Sequence, residues 1–140
     1  MTLYLDTSVV VPIHVTEPSS AAILAFLSGA QEDVIISELA EAEFGAAIAR
    51  LVRMKMLSED KAAAIFETFD QETLSLARSA VAISADVQFA GRLVRRPPKI
   101  LTADAIHVAT CKRLQARLVS RDRDQLSVAR LLEIPVEAFD

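Results

Sequence analysis

Three short apolar runs, Leu3-Tyr4-Leu5, Val34-Ile35-Ile36 and Leu118-Val119, each break off at a polar residue, and longer segments lie between them. Strands separated by helices imply a parallel sheet with helices on both faces, a three-layer α/β/α arrangement. The pattern predicts strands at residues 2–6, 33–36, 117–120 and 136–139. Residues 9–13 begin a helix or a short turn that closes near Glu17-Pro18, because proline restricts the residue before it. Ser19-Ser20 can cap a helix reaching about Ser28, with Gly29 as its stop. Ser37 is read as the N-cap of a long helix from Glu38 to about Met56, and Ser58 as the cap of another from Glu59 to Phe69. Residues 73–76 read as a strand or a helical continuation. Further helices are expected at 84–94, at 103–114 capped by Thr102, and at 126–132. With no repeat, linker or low-complexity tract, residues 1–140 form one domain large enough to bury a core.

Composition limits the classes open to such a chain. Hydrophobic residues make up 52% and Trp is absent, so the core is built mainly of Ala, Val, Leu and Ile. No apolar run approaches the ~20 residues needed to cross a bilayer, and Asp6 interrupts the first stretch with no basic segment before it. Neither a membrane span nor a secretory leader is expected. The single cysteine, Cys111, excludes an intramolecular disulfide and fits a reducing cytoplasm. Its place in Ile106-x-Val108-Ala109-x-Cys111 marks a buried structural thiol.

The net charge of −4 argues at first against nucleic acid. Residues 1–70 hold four Lys/Arg against eleven Asp/Glu, whereas residues 71–140 hold eleven against eight. The segment from Arg92 to Arg123 is the most basic: Arg92, Arg95, Arg96, Lys99, Lys112, Arg113, Arg117, Arg121 and Arg123. A local stripe of this kind can hold phosphates on an acidic protein. A solvated helix surface has the same composition, and composition does not separate the two.

Four acids stand in unusual surroundings. Asp6 follows the first apolar run, at the strand end where open α/β sheets bind ligands. Glu43 has Leu39, Ala40, Ala46 and Ala47 as its helical neighbours, so it projects from an apolar face, where an unpaired carboxylate is unfavourable. A salt bridge would explain it, but Arg50 and Arg53 are not at helical spacing from it. Asp104 lies in an apolar first helical turn, where free N–H groups stabilise acids in any case. Asp122 repeats the strand-then-acid order of Asp6; its neighbour Asp124 is the alternative, and either can serve as a cap. Thr7 and Ser8 can orient Asp6 or cap the next helix. His107, one turn past Asp104, can be a ligand, a base or a packed residue.

Carboxylates gathered in one cleft repel: at ~4 Å and an effective dielectric near 20, each pair costs about 4 kcal/mol. Such a cluster calls for a hard cation, and oxygen-only ligation selects Mg²⁺ or Mn²⁺ over Zn²⁺. Ions held in this way activate water and clamp a phosphodiester during in-line displacement.

The segments Tyr4-Leu-Asp-Thr-Ser8, Ile36-Ser-Glu-Leu-Ala-Glu-Ala-Glu43-Phe, Leu101-Thr-Ala-Asp104-Ala-Ile-His-Val-Ala109 and Leu118-Val-Ser-Arg-Asp122 stand in an order and spacing that resemble the PIN-domain ribonucleases. Within that family the chain is similar to the VapC-like toxins of toxin–antitoxin pairs. The resemblance implies a Mg²⁺- or Mn²⁺-dependent endoribonuclease whose acidic pocket is Asp6, Glu43, Asp104 and Asp122, with Ser8 as a supporting hydroxyl. It also implies a homodimer blocked by a VapB-like antitoxin that threads a C-terminal segment into the groove. One departure is Arg123-Asp124-Gln125-Leu126, where the family commonly has an aromatic after the second acid. Two other classes share parts of this pattern. One is a non-catalytic module whose basic stripe docks RNA or protein. The other is phosphoryl transfer through Asp6, which Asp6-Thr-Ser8 disfavours because the second acid of such sites is missing.

Overall fold

The computed structural model describes residues 1–139. In chain order the elements are β1 (Leu3–Leu5), α1 (Thr7–His14), α2 (Ser20–Gly29), β2 (Val34–Ser37), α3 (Glu38–Arg53) and α4 (Glu59–Thr68). A single π turn (Phe69–Thr73) and the short α5 (Leu74–Leu76) lead into β3 (Arg78–Ala80). Then come α6 (Ser84–Leu93), α7 (Thr102–Arg113), β4 (Arg117–Ser120), α8 (Arg123–Leu131) and β5 (Val136–Ala138). The five strands form one parallel sheet in the order β3-β2-β1-β4-β5. The chain winds outward from β1 through β2 to β3, then returns to the other side of β1 with β4. The strand order therefore reverses between β1 and β4.

Successive side chains of a strand point to opposite faces, and here both faces are covered. Leu3 and Leu5 of β1, Ile36 and Val119 pack with Val9, Val10, Ile23, Ala40, Phe44, Ile48 and Ala62 of α1–α4. Tyr4, Ile35 and Leu118 face the other way, onto Ala90 and Leu93 of α6, Ala105, Val108 and Cys111 of α7, and Val128 and Ala129 of α8. Strands buried on both faces read as unbroken apolar runs, which is why β1, β2 and β4 were legible. Cys111 lies in the second layer as a buried thiol. No helix among the described residues is long and apolar enough to cross a membrane.

Two of the expected serine caps form: Ser37 Oγ accepts from the Ala40 N–H and Ser58 Oγ from the Lys61 N–H, both at 3.1 Å. Residues 73–76 take the helical one of their two alternatives, and a strand that the sequence does not mark, Arg78–Ala80, follows. This edge strand exposes Arg78 and Ser79, so it carries no apolar run. Three expectations need correction. The cap position of α7 is Leu101, and Thr102 is the first helical residue. Ser20 does not cap α2 but ties its start to α1, donating to the Pro12 carbonyl at 2.7 Å. Finally, α8 begins at Arg123 because Asp122 caps it, its Oδ1 accepting the Gln125 N–H at 2.8 Å.

Phe44 anchors the first layer: fully buried, it stacks on Phe69 with ring centroids 4.1 Å apart and meets His14 and Phe66 edge-on. Truncating such a ring leaves a cavity. Phe44→Ala is expected to lower unfolding free energy by about 3–5 kcal/mol in urea titrations, and a loss under about 1 kcal/mol would contradict this packing.

Candidate functional site

In open parallel sheets the crevice for ligands lies beyond the carboxyl ends of the strands, where their order reverses. Here that point is between β1 and β4. Asp6 leaves the end of β1 and Ser120 closes β4, while α1, α3 and α8 each begin at this edge. Because α7 leads back to the start of β4, its N-terminus lies at the same edge. The local partial positive charge of helix N-termini favours anions. Asp6, Asp104 and Asp122 all lie at or within the first turn of a helix, and Glu43 in the second turn of α3.

Asp6 stands at the N-cap position of α1 but makes no cap bond, and only 3% of it is exposed. Its carboxylate accepts instead from two hydroxyls, Ser8 Oγ at 2.6 Å and Ser120 Oγ at 2.9 Å. Each serine in turn accepts a backbone N–H from the β4–α8 turn, Ser8 from Arg121 and Ser120 from Asp122. The turn after β4 is thereby linked through two hydroxyls to the acid after β1. Burial raises the Asp6 carboxyl above its ordinary value and Asp122 adds to this, against Ser8, Ser120 and His107.

Among the described residues Glu43 has no arginine partner. Its Oε1 accepts from Thr7 Oγ1 at 2.8 Å and pairs with His107 Nε2 at 2.5 Å. His107 is buried, and its Nδ1 lies 2.8 Å from the Tyr4 hydroxyl. A phenol O–H donating to Nδ1 leaves Nε2–H to donate to Glu43, so both ring nitrogens are engaged. His107 is therefore a packed residue that holds Glu43. Burial pushes the Glu43 carboxyl up, but His107 and Thr7 outweigh it and the net shift is downward.

Asp104 behaves in the opposite way. Burial and then the charges of Asp122, Asp6 and Glu43 raise its carboxyl from 3.8 to about 6, against His107. Asp122, Asp6 and Glu43 thus all act on Asp104, and Asp122 acts on Asp6. Asp122, rather than the exposed Asp124, is the acid that acts on Asp104. Their hydrogen bonds are uneven. Both oxygens of Asp6 are engaged, whereas Glu43, Asp104 and Asp122 each have one oxygen with no hydrogen bond from the described residues. Among the described residues no three His, Cys, Asp or Glu side chains stand ready-assembled as a metal cage. Softer ligands are missing too, since His107 is fully engaged and burial pushes the Cys111 thiol up to about 12.

The sequence reading missed Gln125, whose Nε2 donates to Asp104 Oδ1 at 3.2 Å. In the polar run Arg123-Asp124-Gln125 nothing marked it as buried. The basic segment is partly neutralised: Arg113 pairs with Asp86 and Arg121 with Glu17, while Arg117 approaches Glu137 at 3.9 Å. Arg92, Arg95, Arg96 and Lys99 are exposed around the connection from α6 to α7, and no ion pair holds them among the described residues.

No curated protein matches the chain. Solved structures share its fold at low identity. FitAcB from Neisseria gonorrhoeae is 23% identical over 99% of this chain and 97% of its own, with a TM-score of 0.78. VapC20 of Mycobacterium tuberculosis, a sarcin-ricin loop cleaving toxin, is 14% identical over 91% and 95%, with a TM-score of 0.72. VapBC2 from Rickettsia felis, bound to a fragment of its promoter, is 17% identical over 100% of both chains, with a TM-score of 0.71. The PIN domain family model matches residues 3–131. With that match over nearly its whole length, the chain belongs to the PIN domain family.

Proposed function

We propose that this protein is a divalent-metal-dependent endoribonuclease acting as the toxin of a toxin–antitoxin pair. The reading is supported by the nearness of Asp6, Glu43 and Asp122, each from a separate element, to Asp104, whose carboxyl burial and then these three charges raise to about 6. Family membership and the toxin names of its structural neighbours support it.

The donor set fits a hard cation. Only carboxylate and hydroxyl oxygens are offered, which suits Mg²⁺ or Mn²⁺, and such ions keep several waters and take one or two carboxylates directly. Asp6, Glu43, Asp104 and Asp122 would hold it. A bound ion would supply positive charge to the scissile phosphate and acidify a water. The chain's own residues prepare the site. Ser8 and Ser120 fix Asp6, Thr7 and His107 keep Glu43 ionised, and buried Tyr4 fixes the orientation of the His107 ring. Arg92, Arg95, Arg96 and Lys99 are placed to hold flanking RNA phosphates, a binding mode that weakens steeply with salt. The FitAB, VapBC2 and VapBC neighbours are bound to DNA. We infer from them a VapB-like antitoxin partner and a homodimer for this chain.

One observation favours a second reading, a non-catalytic module that binds RNA or protein. No ready metal cage exists among the described residues, and both oxygens of Asp6 are satisfied by serines. Metal titration separates the two readings. An assembled site gains stability with ligand as RT ln(1 + [L]/Kd), whereas acids held only by protein donors show no specific gain.

Two outcomes are expected. Purified Asp6→Asn should fold normally, yet its RNA cleavage should fall to the level of wild-type protein in EDTA; activity in the EDTA-treated wild type should return with added Mg²⁺ or Mn²⁺. Cleavage by Asp6→Asn at the wild-type rate would sink the assignment. The second concerns pH. The folded carboxyl of Asp104, at about 6, lies above its ordinary 3.8, so the folded state holds an extra proton between these values. Without metal, this group's contribution to stability is present at low pH and is lost as pH climbs from about 4 to about 6. Because protons and cations compete for the carboxylate, Mn²⁺ affinity should rise by about tenfold per pH unit below 6 and level off above it. Asp104→Asn should flatten that slope, and an unchanged slope in the variant would assign it to another group.

A further inference from the structure

Gln125 is fully buried in α8, on the face that carries Leu126, Val128 and Ala129. It touches two of the four acids at once. Its backbone N–H donates to Asp122 Oδ1 at 2.8 Å, and its side-chain Nε2 donates to Asp104 Oδ1 at 3.2 Å. Asp6 and Glu43 each receive two donors from the protein, but Asp104 receives only this one from the described residues. The arrangement leaves Gln125 Oε1 buried with no partner. An ionised carboxylate only accepts hydrogen bonds, so the amide cannot turn to satisfy its own carbonyl without losing Asp104. A buried acceptor left unmade is unfavourable, and an apolar side chain of the same length would avoid it on this apolar face. The side chain's contribution is its bond to Asp104.

We propose that Gln125 is a positioning residue: its side-chain amide anchors one oxygen of Asp104, beside the Asp122 oxygen held by its backbone N–H, so that the second oxygen of Asp104 is presented to the divalent cation. The proposal rests on the metal-dependent reading above. Outer partners of metal-binding carboxylates act in this way, orienting the ligand without touching the ion.

The test compares the wild type with Gln125→Met, which keeps chain length and removes both the donor and the orphaned acceptor. Mn²⁺ affinity of the RNA-free protein should weaken by roughly 10–100-fold, as outer-partner losses typically do. The thermal midpoint without metal should hold or rise. With RNA, kcat should fall while KM stays near the wild-type value, the pattern of an interaction made in the transition state rather than in substrate binding. In ¹⁵N spectra the Gln125 side-chain amide, identified by its disappearance in the variant, should move on adding Mg²⁺. Should Gln125→Met fail to fold, Gln125→Asn, which keeps the amide but withdraws it by one methylene, is read for the same loss of affinity. Wild-type Mn²⁺ affinity and kcat in a folded variant would overturn the role of Gln125 while leaving the metal site intact. Failure of the wild type itself to bind Mn²⁺ would overturn both, and the two failures are told apart by the wild-type titration.

Discussion

The parallel pairing of β1 with β4 is the constraint on which the site depends. It sets Leu5 opposite Val119 and so brings Asp6, just past β1, and Ser120, the last residue of β4, into hydrogen-bond contact. From there the backbone of the β4–α8 turn reaches Asp6 through Ser8 and Ser120. A shift of one residue in this register would turn every side chain of the strand to the opposite face. The acid would then leave the crevice, and the serines with it.

Around that pairing the protein holds mutually repelling charges by giving each a different support. Asp6 is carried by hydroxyls, Glu43 by a histidine and a threonine, Asp122 by a helix-starting N–H, and Asp104 by one amide. The carboxyls diverge. His107 and Thr7 drive Glu43 below its ordinary value against its burial, whereas burial and neighbouring acids raise Asp6, and Asp104 to about 6. A cluster with carboxyls displaced in this way is a frequent mark of a functional site.

Much of this was legible in the sequence, for physical reasons that can be named. Strands buried on both faces leave unbroken apolar runs, so β1, β2 and β4 and the acids beyond them stood out. Glu43 stood out because helical spacing alone places it on an apolar face. What stayed hidden depends on contacts between distant segments. His107 supports Glu43 across 64 residues and Gln125 supports Asp104 across 21, and no local pattern encodes either. The edge strand β3 was hidden for another reason: Arg78 and Ser79 face outward, so no apolar run marks it. The basic segment is continuous along the chain, yet Asp86, Glu17 and Glu137 engage three of its arginines. Those partners too are far away in the chain.

One divalent ion shared by four carboxylates distant in sequence, as proposed, would be visible by anomalous diffraction from crystals soaked in Mn²⁺. A single strong peak is expected in the crevice between β1 and β4, bounded by Asp6, Glu43, Asp104 and Asp122. Peaks elsewhere on the surface with this crevice empty, at Mn²⁺ concentrations that saturate exposed carboxylates, would contradict it.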